Sequence, residues 1–71
     1  MTKGYRFDDF EPKHGNTVHA FRSLKALKNF SQIQGPVGKL RFWEIEGMLI
    51  RDEGGEDGLV LKVINAKQVR L

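Results

Sequence analysis

The 71-residue chain contains no cysteine. That excludes disulfides, and it excludes zinc sites built on thiolates. Aromatics with a polar handle are scarce, with one tryptophan and one tyrosine. No apolar run approaches the roughly eighteen residues that span a bilayer as a helix, so no membrane partner is expected. The opening residues Met1-Thr2-Lys3-Gly4-Tyr5-Arg6 lack the apolar h-region of a signal peptide, and a cytoplasmic location is the default expectation. Only two histidines, His14 and His19, are available as neutral metal ligands. They lie five apart, where a helical pair needs three or four plus a third ligand, so no metal site is expected. Seventy-one residues make a single domain, 1–71. A chain of this length buries about 60% of its unfolded surface and is marginal alone. A monomer of low stability or a homodimer is the expectation.

What the chain does have is an acidic, glycine-rich insert, Asp52-Glu53-Gly54-Gly55-Glu56-Asp57-Gly58, between the apolar runs Phe42–Ile50 and Leu59–Ile64. Its glycines supply positive-φ freedom and its carboxylates stay hydrated, so it reads as the tip of a β-hairpin. Upstream, Gly4–Phe7 alternates aromatic and polar residues and predicts a short strand. Thr17–Phe21 reads as a strand or a helix start. The β-branched Thr17 and Val18 favour the strand, with Ser23 as N-cap of the helix that follows. Leu24, Leu27, Phe30 and Ile33 form an apolar stripe at helical spacing, and Gly35-Pro36 ends the helix.

Leu40–Glu46 predicts an aromatic-rich strand, with Leu40 and Phe42 on one side and Trp43 and Ile45 on the other. Gly47 suggests a bulge or bend. Leu59–Ile64 returns as its partner, Asn65-Ala66 is read as a break, and Lys67–Leu71 as a final edge strand. The predicted core is Phe7, Leu24, Leu27, Phe30, Leu40, Phe42, Ile45, Leu49, Leu61, Val63 and Val69. The fold class is α+β: an antiparallel sheet of three to five strands with one short helix packed on one face.

The order of these segments resembles a family of small uncharacterised phage and prophage proteins. The likeness rests on Val18-His19-Ala20-Phe21-Arg22-Ser23, the short helix, Arg41-Phe42-Trp43-Glu44-Ile45-Glu46-Gly47, the acidic turn and Leu59–Leu71. It implies a phage-associated α+β domain and carries no established chemistry.

Motifs that would carry chemistry have simpler readings. Glu44 and Glu46 share a strand face as paired carboxylates do, but nothing marks a cleft, and salt bridges to Arg41, Lys62 or the helix suffice. His19, Ser23 and Glu44 could be drawn as a hydrolytic triad, yet Ser23 fits helix capping better. Gly35-Pro36-Val37-Gly38-Lys39 lacks the spacer and the Ser/Thr of a P-loop. No catalytic residue and no cofactor is expected.

Charge is unevenly placed: residues 1–41 carry eight Lys/Arg against three acids, and residues 42–71 carry four against six. Arg22, Lys25 and Lys28 recur at intervals of three and are expected along one helix side. With Lys39 and Arg41 they could track phosphates, and Trp43 or Tyr5 could stack on a base. These residues are the expected contact site. The expected function is a small non-catalytic protein-interaction module, such as a phage accessory protein acting on a host protein. The alternative is a nucleic-acid binder using the basic helix face.

Overall fold

A computed structural model describes residues 1–34 and 41–70. In chain order these form β1 (Thr2–Asp8), β2 (Thr17–Ala20), α1 (Leu24–Gln34), β3 (Arg41–Asp52) and β4 (Leu59–Val69). The strands make one four-stranded sheet in the order β1-β3-β4-β2, every pair antiparallel. The sheet curls until its two ends meet. Tyr5 and Phe21 exchange backbone hydrogen bonds of 2.9 and 2.7 Å, joining β1 to the residue that follows β2. The Arg6 guanidinium adds a 2.9 Å bond to the carbonyl of His19.

Curling a short sheet this tightly crowds its inner face. That face holds Ala20, Trp43, Ile45, Leu59, Leu61 and Val63, all buried. Gly4 and Gly47 sit where a side chain has no room. A Cβ on Gly4 would come 2.7 Å from the Ala20 Cβ, and one on Gly47 would come 2.5 Å from the Lys62 carbonyl oxygen. The register shift between Glu46 and Gly47 is the bulge that Gly47 suggests.

The hairpin is the expected one. Gly54 and Gly55 adopt φ of +83° and +77°, and the segment from Asp52 to Asp57 is exposed. Glu53 N–H donates to the Gly58 carbonyl (2.8 Å), closing the tip. The helix start is also as expected: Ala26 N–H donates to Ser23 Oγ at 3.1 Å, an N-cap. The helix meets the sheet at β1, with Leu27 fully buried and the Phe30 ring 5.2 Å from Phe21. Its predicted stop at Gly35-Pro36, and Leu40, lie outside the described residues. No described helix is long and apolar enough to cross a membrane.

Three expectations are corrected. Asn65-Ala66 does not break the last strand, and there is no separate edge strand from Lys67. β4 runs unbroken because Asn65 and Ala66 pair with Glu46 and Ile45, so the ladder overrides weak local propensity. Leu49 and Phe30, placed in the core, are substantially exposed. Trp43, absent from the predicted core, is in it. Phe7 and Phe42 are half-buried and pack against each other at 5.3 Å on the other side of the sheet from Trp43.

Candidate functional site

The expected basic face is dispersed by the fold. Arg22 precedes the N-cap, so it does not share the helix side with Lys25 and Lys28. Its side chain is committed elsewhere. The guanidinium grips both carboxylate oxygens of Asp52, with one contact at 2.7 Å, and Nε donates to the Gly55 carbonyl at 2.6 Å. Its backbone N–H donates to Glu56 O at 2.9 Å. Arg22 thus staples the β2–α1 junction to the hairpin tip. The Arg22 hydrogen bond, aided by the Gly54 N–H, holds the Asp52 carboxyl down at about 2, and the same bond raises Arg22.

Lys25 and Lys28 are exposed on α1, and Arg41 is exposed at the start of β3, opposite Asp8. Lys39 lies outside the described residues. Trp43 cannot stack on a base: it is 5% exposed and its indole N–H donates to the Asp8 carbonyl at 3.1 Å. Tyr5 is half-buried.

The residues considered for chemistry are also separated. Glu44 lies between Lys3 (3.8 Å), diagonal to it on β1, and its β4 partner Lys67 (4.0 Å), rather than meeting Arg41, Lys62 or the helix. His19 Nε2 is 2.9 Å from Glu53 Oε1, while Ser23 caps the helix. No triad forms from His19, Ser23 and Glu44. Arg51 donates to Glu53 at 2.8 Å, and this bond, then that of His19, lowers the Glu53 carboxyl below its usual range. Among the described residues no group of His, Asp and Glu is placed to hold a metal ion. An open groove of about 670 Å³ between α1 and the hairpin tip is lined by Phe21, Lys25, Phe30, Glu56 and Asp57, among others.

A different surface stands out on β3. β1 pairs with β3 only as far as Gly47, opposite Thr2. From Met48 to Asp52, β3 has β4 on one side and, among the described residues, no strand on the other. Met48, Leu49 and Ile50 are 58, 45 and 46% exposed on that stretch. The ladder to β4 shifts between Leu49 and Arg51, leaving Ile50 as the extra residue of a bulge. The sequence carried a signal for this surface. The apolar run Phe42–Ile50 outlasts Gly4–Phe7, the segment that the fold pairs beside it. No family model, curated protein or solved structure matches this chain.

Proposed function

We propose that this chain is a non-catalytic protein-interaction module that docks a partner strand along the open edge of β3. The observation that carries the reading is the exposure of Met48, Leu49 and Ile50 on a stretch of strand with one side unpaired. An open edge presents unmatched backbone donors and acceptors, and apolar side chains on it favour addition of another strand. Strand addition needs no pocket and no reactive group.

The nucleic-acid alternative draws less support. Arg22 is neutralised by Asp52, Trp43 is inside, and Lys25, Lys28 and Arg41 are carried on two separate elements. Cations so placed give at most weak, salt-sensitive binding.

The test pairs partner capture with a salt series. The wild-type chain and a Met48→Lys variant are used as bait, with nuclease present, beside anisotropy titrations of labelled DNA and RNA. The reading expects capture that Met48→Lys abolishes, and no nucleic-acid binding at about 0.15 M salt. Capture indifferent to Met48→Lys contradicts it. So does steeply salt-dependent nucleic-acid binding that Lys25→Glu removes.

A further inference from the structure

We infer that the groove between α1 and the hairpin tip takes a lysine-bearing segment of a partner protein, its ammonium seated against Asp57 beside Phe7, Phe21 and Phe30. The site shares no residue with Met48–Asp52, so it stands apart from the reading of the β3 edge.

Two adjoining cavities make the site. The groove of about 670 Å³ meets a smaller, more enclosed pocket of about 170 Å³, and Phe21, Phe30 and Asp57 line both. Phe7 joins them in the smaller pocket. The lining comes from parts of the fold that are tied together. Phe21 is fixed by its two backbone hydrogen bonds to Tyr5, and the Phe30 ring packs on it at 5.2 Å. Asp57 is carried by the hairpin tip, which Arg22 holds to the β2–α1 junction through Asp52 and the Gly55 and Glu56 carbonyls. A cavity of roughly 150 Å³ admits benzene, so the pocket has room for the end of a lysine side chain.

The charges of the lining select the ligand. Arg6 and His19 also line the smaller pocket, but each is engaged: Arg6 with Asp8 and the His19 carbonyl, His19 with Glu53. Asp57 makes no ion pair among the described residues. Lys25 lines the groove but not the pocket, and the field of Glu56 falls on Arg22. The pocket therefore offers one unmatched carboxylate among three aromatic rings. A neutral segment closing over it would strip water from Asp57 and give nothing back. An anionic segment would be repelled. A cation gains from the carboxylate and from the rings, and the methylene stem of lysine covers apolar surface behind its charged head. Lysine suits a single carboxylate because its compact ammonium turns freely, whereas a guanidinium gains most from a planar, two-pronged match. The adjoining groove leaves room for the chain on either side of that lysine. Ser23 and Asn29 on its lining present polar side chains to a peptide backbone.

The test is an amide chemical-shift titration of the full chain with acetyl-Gly-Ser-Lys-Ser-Gly-amide, from about 0.1 to about 20 mM. Its norleucine and glutamate counterparts and cadaverine are titrated beside it. The expected result is a saturable shift at Phe21, Phe30 and Asp57 with the lysine peptide, and affinity at least about tenfold lower for the other three. Asp57→Asn should weaken the lysine peptide at least about fivefold, leave the norleucine peptide as it was, and keep the thermal unfolding midpoint. Phe30→Ala should weaken the lysine peptide too; if that variant does not fold, Asp57→Asn decides. Met48→Lys should bind the lysine peptide as the wild type does, which separates this site from the β3 edge. No saturable shift at the top concentration overturns the inference. So does norleucine or glutamate peptide binding as tight as lysine, or affinity unmoved by Asp57→Asn. Cadaverine binding as tightly as the lysine peptide overturns the partner segment in favour of a free amine.

Discussion

The two halves of β3 have similar apolar content and opposite fates. From Arg41 to Gly47 the strand has β1 on one side and β4 on the other, and Trp43, Ile45 and Gly47 alternate inward. From Met48 to Asp52 it has, among the described residues, β4 alone, and Met48, Leu49 and Ile50 all face water to a large degree. The difference lies in the neighbour rather than the residues. A strand's apolar side chains are buried when the sheet curls over them, and β1 runs out at Thr2. What remains is an exposed apolar stretch, the kind of surface on which a partner is best sought.

Substitutions on the two halves should separate most sharply in stability. Ile45→Ala removes a fully buried side chain from the inner cluster and should cost roughly 2–5 kcal/mol in a denaturant melt. Leu49→Ala on the open half should cost less than about 1 kcal/mol, since much of that side chain is already hydrated. If the two melts shift alike, the halves are not distinct.

The staple at the hairpin tip gives an intermediate effect with a pH signature. Asp52 has its folded pKa depressed to about 2 from a reference of 3.8, chiefly by Arg22. Its contribution is therefore present above the reference value and is lost as pH falls through about 2. Arg22→Ala should flatten the acid limb of a stability–pH profile in that window, and Asp52→Asn should flatten it similarly. A profile unchanged in either variant would show that the contact contributes nothing in solution.

Smaller effects belong to the helix. Ser23→Ala removes the oxygen that accepts from Ala26 N–H and should cost about 1 kcal/mol. Lys25→Ala, on an exposed position without an ion pair among the described residues, should change stability by less than about 0.5 kcal/mol. Equal effects of the two would place the helix start elsewhere.

The hairpin and the helix start were legible because each depends on a few local residues. Gly54 and Gly55 need positive φ, and Ser23 is a capping residue beside an apolar stripe. The strand sides of β3 were legible from alternation, but which side is the core was not. Trp43 and Ile45 face one way, Phe42 the other, and only the curl of the sheet selects between them. Arg22 was misplaced for a similar reason. A spacing of three from Lys25 suggests a shared helix side, yet its partner Asp52 lies thirty residues away in sequence and is brought near only by the folded hairpin. The break expected at Asn65-Ala66 failed because cross-strand pairing with Glu46 and Ile45 outweighs weak local preference.

The contrast between the halves of β3 can be read amide by amide. Hydrogen exchange on the isotope-labelled chain compares backbone protection before and after Gly47. The account predicts that every amide from Phe42 to Glu46 is protected, whereas amides from Met48 to Asp52 that point away from β4 exchange rapidly. Protection continuing undiminished through Met48–Asp52 would mean that the edge is already covered, and would contradict the account.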